Sequence, residues 1–208
     1  MEKLLVTWKG VTPLLMHSCR CVNPLHPLAM LMKKYTSNRK KTDDDYRVMS
    51  DIEWLQGIYF NEDISRITSP LDDYLLDNMY LYIPADNIEA TLRNAGKAFK
   101  LGEAIKRFVN VSEIEIPFDF GDKKLIREIW KDYRYRDVRS MVVNKKRIMR
   151  TRPRFDRWGI QFSLVYDETK INIQDIVTVI EFAGEYTGLC DSRPKYGKFT
   201  AIIEEVAG

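Results

Sequence analysis

The sequence predicts an α+β fold, an antiparallel sheet with helices on one face and a large insertion. Three observations carry that expectation. Period-two alternation marks strands near both ends of the chain, two stretches with apolar residues at helical spacing lie between strands, and one long stretch keeps neither period.

Leu4, Val6 and Trp8 alternate with Lys3, Leu5, Thr7 and Lys9, the period of a strand with one buried face. Gly10 and Pro13 then end regular pairing. Over residues 23–77 the periodicity weakens, with Pro24, Pro27, the basic cluster Lys33, Lys34, Arg39, Lys40 and Lys41, and the run Asp43-Asp44-Asp45. Residues 23–77 are therefore expected to form an insertion, partly helical with a mobile charged tip, within a single domain spanning 1–208.

A short strand is expected at 79–83, followed by Pro84 and a helix start in which Asp86 caps and Glu89 completes a capping box. Ile88, Leu92, Ala95 and Phe99 give residues 87–100 one apolar face. Residues 108–118 read as a strand and 123–132 as a short amphipathic helix. The block from Arg134 onward has strand-like pieces at 138–143 but no apolar stripe strong enough to bury it.

After Pro153 comes the clearest strand, with Trp158, Ile160, Phe162, Leu164 and Tyr166 on one face. Asn172 with Asp175 opens a second helix, Gly188 stops it, and a polar loop leads to a last strand in which Phe199, Ala201 and Ile203 alternate. Two strand-helix-strand passes over one antiparallel sheet make the ferredoxin-like arrangement, a plan that RNA-recognition domains share.

Composition narrows the function classes. The longest apolar runs, such as residues 28–32, fall far short of the roughly 18 residues of a membrane span, so no membrane partner is expected. The N-terminus lacks signal-peptide features, and three cysteines, Cys19, Cys21 and Cys190, are too few for a disulfide framework. The expectation is a cytoplasmic protein, in the host cytoplasm if phage-encoded. There is no phosphate-binding Gly-x-x-x-x-Gly-Lys loop, no Gly-x-Ser-x-Gly elbow and no His-Glu-x-x-His pair, and no cofactor is expected.

The charge is unevenly spread. Over the chain 33 basic residues face 30 acidic ones, yet residues 134–157 hold ten basic residues and two acidic ones. Lys145, Lys146, Arg147, Arg150, Arg152, Arg154 and Arg157 are dense enough to neutralise several phosphates, and the period of two in Arg150, Arg152 and Arg154 predicts an exposed row that tracks a nucleic-acid backbone. Arg193, Lys195, Tyr196 and Lys198 around Gly197 form a second candidate, since glycine admits a close phosphate and tyrosine offers a stacking face. The cluster from Lys33 to Lys41 is a third, set against a solvated loop.

His17, Cys19, Cys21 and His26 lie within ten residues, and the first three would share one side of an extended segment. They are candidates for zinc, but Cys-x-Cys is cramped for that ion and no metal is expected. His17 alone is a candidate general base for RNA cleavage. A single histidine without a recognisable partner is ordinarily structural, so binding without catalysis is expected.

The stretch from Gly10-Val11-Thr12-Pro13-Leu14-Leu15-Met16-His17, the segment Ile83-Pro84-Ala85-Asp86-Asn87-Ile88-Glu89-Ala90-Thr91-Leu92-Arg93 and the loop from Gly188 to Phe199 resemble the RAMP superfamily. These are ferredoxin-like RNA-binding proteins that include the crRNA-coating backbone subunits of CRISPR effector complexes. The chain also resembles small phage-encoded proteins that share the Thr-Pro-Leu-Leu-Met-His start and the Arg-Pro and Tyr-Gly-Lys-Phe end. The resemblance implies an RNA-binding role for Arg93, with Lys97 on the same helix, and copies that stack so that an insertion reaches over the strand held by the neighbour.

The leading expectation is a non-catalytic protein that binds single-stranded RNA or DNA, RNA ahead of DNA, and self-associates along the strand. One alternative is a phage protein that mimics or inhibits a host CRISPR effector complex, its partner then being a host or phage protein complex. The other is a metal-independent ribonuclease using His17.

Overall fold

Alternation at the N-terminus becomes the first strand of a computed structural model that describes residues 1–61, 79–121, 124–143 and 146–206, apart from the side chains of Cys21, Met141, Val143 and Lys146. In chain order the strands are β1 (Glu2–Gly10), β2 (Leu14–Leu15), β3 (Tyr82–Pro84), β4 (Val109–Val111), β5 (Glu115–Asp119), β6 (Arg136–Val143), β7 (Lys146–Phe155), β8 (Gly159–Tyr166) and β9 (Phe199–Glu205). The helices are α1 (Pro27–Thr36), α2 (Asp43–Gly57), α3 (Ala85–Gly96), α4 (Gly102–Phe108), α5 (Ile126–Lys131) and α6 (Ile173–Phe182). The chain forms two compact units, one from Met1–Leu14, Tyr82–Asp122 and Phe155–Gly208, the other from Leu15–Leu81 and Lys123–Arg154.

The first unit is the expected α+β plan. Its sheet runs β3-β5-β8-β1-β9, with β4 also paired to β8, and every pairing is antiparallel. Counting the β4–β5 stretch as one strand position gives the ferredoxin-like order, in which each strand-helix-strand pass straddles a strand from the other pass. Leu4, Val6 and Trp8 of β1 and Ile160, Phe162, Leu164 and Tyr166 of β8 are buried with Ile88, Leu92 and Ala95 of α3 and Ile176, Val179 and Ile180 of α6. The Trp8 ring stacks on Phe199 at 3.9 Å and meets Phe162 edge-on at 5.1 Å. Lys3, Lys9, Gln161 and Thr200 stay exposed, as the opposite phase of the alternation requires.

Local signals set α6 as expected, since Asn172 caps it by accepting from the Gln174 N–H at 2.8 Å. Others were redirected by tertiary partners. α3 starts at Ala85, after Pro84 and with no side-chain cap, so Asp86 lies inside the first turn instead of at the cap, and Glu89 accepts from the Val111 N–H of β4 at 3.0 Å. The single strand expected over 108–118 is instead the end of α4, then β4, a break and β5.

In the second unit α1 and α2 are joined by a short turn whose chemistry is local. Thr42 and Asp45 form a reciprocal capping box, so Asp43, Asp44 and Asp45 occupy the first turn of α2, where carboxylates suit the helix dipole. Lys41 closes the turn by donating to the carbonyls of Thr36 and Asn38. Leu28, Ile52, Trp54, Leu55, Ile58, Ile126, Ile129 and Trp130 are buried in this unit. Its three-stranded sheet runs β2-β7-β6, with β6 and β7 a long hairpin in register from Arg136↔Pro153 to Val143↔Lys146. The basic block is thus a β-ribbon, and the stretch expected as an insertion contributes to the same unit.

Candidate nucleic-acid interface

The ribbon is anchored by α2. Beyond the short β2, the outer edge of β7 is open at Thr151, and Glu53 fills the gap: its Oε2 accepts from the Thr151 N–H at 2.9 Å and its Oε1 from Arg150 at 2.6 Å. Ser50 and Thr151 share a hydroxyl hydrogen bond at 2.7 Å. Trp54 Nε1 donates to the Tyr135 carbonyl at 2.7 Å, and Trp130 Nε1 donates to the Asp51 carbonyl at 3.2 Å. Gly57 is required by close approach, because a Cβ there would lie 2.8 Å from Pro153 Cδ. Ser50, Glu53 and Gly57, spaced three and four apart, therefore form the face of α2 that meets the ribbon.

These contacts correct the reading of the basic block as an exposed row. Arg152 is only 8% exposed, Arg150 is held by Glu53, and Arg154 is half-buried. The charge of the block is also partly compensated, because partners come from outside residues 134–157 as well as within them. Asp132 pairs with Arg134, Asp51 with Arg136, Glu53 with Arg150, and Asp137 with Arg139. Arg134 hydrogen bonds hold the Asp132 carboxyl well below the usual carboxylate range. Asp51 and Glu53 are the residues that sequence reading missed, since nothing local ties α2 to a strand about a hundred positions later.

What stays open is one face of the ribbon. Ser140↔Met149 and Val142↔Arg147 are opposed pairs whose side chains share that face, with Val138 on the same side, while Thr151 opposite Val138 is buried against α2. Val138, Val142 and Met149 are at least half exposed, and Arg147 is exposed with no carboxylate partner among the described residues. Lys145 lies outside the described residues, as does the side chain of Lys146.

Between α1, α2 and β7 the same unit encloses a cavity of about 430 Å³, lined by His17, Gln56, Arg150 and Arg152 among others. Gln56 is 7% exposed, and its Nε2 has no hydrogen-bond partner among the described residues.

The remaining basic candidates lie in the first unit. Arg193, Lys195 and Arg157 are exposed, and Tyr196 and Lys198 are half-buried. Gly197 sits at φ +74° with its N–H on the Pro13 carbonyl, and a Cβ there would fall 2.0 Å from the Leu189 carbonyl oxygen. The glycine thus serves the loop's own folding. Arg193 Nη1 donates to Thr91 Oγ1 at 3.3 Å, and Lys195 lies over the Tyr196 ring. Arg93 is half-buried and lines a cavity with Glu89 and Lys106, while Lys97 is exposed and donates to Asn94. Nearby, burial pushes the Cys190 thiol up to about 12 although Asn87 donates to it, which leaves a neutral structural thiol.

The histidine and cysteine group is not on one side of an extended segment, because Cys19–Val22 forms a 3-10 turn capped by Ser18. His26 caps α1, its Nδ1 accepting from the Leu28 N–H, and is buried, whereas His17 and Cys19 are exposed. The Cys21 side chain lies outside the described residues. Among the described residues no three His, Cys, Asp or Glu side chains gather as metal ligands. Nor is any helix among them long and apolar enough to cross a membrane.

No family model matches the chain, and no curated protein does. Among solved structures, a chain of the type III-B Cmr-beta complex bound to cognate target RNA is similar to it, with a TM-score of 0.48 at 14% identity. The similarity covers 99% of this chain and 61% of that chain, so this chain spans less than two thirds of the other's length.

Proposed function

We propose that the protein binds single-stranded RNA without cleaving it, through the open face of the β6–β7 ribbon. The observation that carries this reading is the combination on one face of exposed Val138, Val142 and Met149 with Arg147, beside Lys145 and Lys146 in sequence. Bases rest on the apolar positions by hydrophobic contact and phosphates on the cations. Lys33, Lys34, Arg39 and Lys40 are exposed at and after the end of α1 and suit a strand held mainly by a neighbouring copy.

Fluorescence anisotropy with an unstructured RNA, across a salt series, tests the reading. Four or more phosphate contacts give a log-log slope of about −3. Replacing Lys145, Lys146 and Arg147 together by alanine should flatten that slope by about 2, at roughly 0.7 per lost contact, without changing thermal stability. A slope that is already flat in the wild type overturns the proposal. The exposed apolar positions also favour a second reading, a protein partner docked on the ribbon, in which binding would tolerate salt and Val142→Asp would abolish it. Labelled RNA should stay intact over hours in both the wild type and His17→Ala; cleavage lost in His17→Ala would make the protein a ribonuclease.

A further inference from the structure

The cavity beside the ribbon has a lining of mixed chemistry. Two arginines, Arg150 and Arg152, line it together with His17. Glu53 takes one hydrogen bond from Arg150, leaving further N–H donors on a side chain that is 43% exposed. Ala29 and Met32 of α1 add an apolar stretch to the lining. Gln56, buried to more than nine tenths, brings an amide whose Nε2 has nothing to donate to among the described residues. A volume of about 430 Å³ lies within the range of small-molecule sites.

An inorganic phosphate would engage the arginines but leave Ala29 and Met32 against water and the Gln56 amide unpaired. An uncharged base would do the reverse. We propose that the cavity binds a nucleoside monophosphate unit, its phosphate at Arg150 and Arg152 and its base against Ala29 and Met32 within reach of Gln56. A glutamine amide offers a donor and an acceptor side by side, which complements the N6 and N7 edge of adenine, so an adenylate is the preferred unit. The unit comes either from the bound strand, a source that rests on the RNA-binding reading above, or from a free mononucleotide.

Titration calorimetry on the full chain separates these. Adenosine 5′-monophosphate should bind at least tenfold tighter than inorganic phosphate or adenosine. Gln56→Leu should weaken it at least fivefold, and Ala29→Trp, which fills the space without removing a polar group, should abolish it. Preference for oligoadenylate over oligocytidylate in the wild type, lost in Gln56→Leu at an unaltered salt slope, assigns the unit to the strand. Mononucleotide binding without oligonucleotide binding keeps the cavity site, with a free nucleotide as its source, and sinks the strand reading. Oligonucleotide binding with adenosine monophosphate no tighter than phosphate sinks the cavity proposal and leaves the strand reading standing. That comparison uses the wild type alone, so a variant that fails to fold does not blunt it.

Discussion

Replacing Glu53 by alanine removes the carboxylate that closes the open edge of β7. Two interactions go with it. The Thr151 N–H, on a residue 6% exposed, loses its acceptor at 2.9 Å, and a buried unsatisfied donor costs about 1–3 kcal/mol. The ion pair with Arg150 contributes less, because that side chain is 43% exposed and solvent screens it; about 0.5 kcal/mol is the appropriate scale. The expected loss is therefore about 1.5–3.5 kcal/mol for Glu53→Ala. Glu53→Gln keeps an acceptor for Thr151 and gives up only charge assistance, so about 1 kcal/mol is expected. Amide hydrogen exchange reads the effect at its source: Thr151 should lose protection roughly tenfold per 1.4 kcal/mol, with the urea midpoint falling in parallel. Thr151 protection within twofold of wild type in Glu53→Ala would refute the edge-closing role. Equal damage from Glu53→Gln and Glu53→Ala would show that charge, not the N–H acceptor, is what matters.

Three further outcomes follow from the geometry. Phe162→Ala, which empties a site against Trp8 in the first unit, should cost about 3–5 kcal/mol by thermal or urea unfolding; a loss under 1 kcal/mol would mean the core collapses around it. Gly197→Ala forces a Cβ into the Leu189 carbonyl at positive φ and should lower the melting temperature by the equivalent of about 2 kcal/mol or more, whereas an unchanged melt would show that the loop repacks freely. Asp132, with its carboxyl held down chiefly by the Arg134 side-chain hydrogen bonds, stabilises the fold above the ordinary aspartate range and loses that contribution as pH falls through it. The melting-temperature gap between wild type and Asp132→Asn should accordingly be present at pH 6 and shrink below about pH 4; a gap constant from pH 6 to 2 would contradict it.

Elements whose partners are local were legible in the sequence. β1 and β8 show their buried faces as plain alternation, and α6 starts where Asn172 can cap it, because these patterns depend on a residue's neighbours within a turn or two. The capping box assigned to Asp86 and Glu89 does not form: the helix starts at Ala85, which puts Asp86 inside the first turn, and Glu89 accepts from the Val111 N–H, 22 positions away. The candidate site shows the same divide. The density of cations was visible, and so was their strand period, but Glu53 and Asp51 sit about 80 to 100 positions from the arginines they hold, and no local period predicts that. The cavity could not be read from the sequence, since Gln56 gains its meaning only when α2 lies along β7.

The strand pairing imposes a waiting time. β1 has two neighbours, β8 and β9, and its register begins at Glu2↔Tyr166, so neither partner exists until some 150 residues after β1 have been made. At about 5–20 residues per second of synthesis, that delay is roughly 8–30 s. Throughout it the apolar row Leu4, Val6 and Trp8 has no strand to pair with, and the segments that come out first, 15–81, belong to the other unit. That other unit waits as well, because its ribbon is completed only at Arg154. A nascent chain therefore carries an unpaired, hydrophobic N-terminal strand for most of its synthesis, which makes β1 the place where a holding chaperone would be expected to act and where early truncation products would stick together.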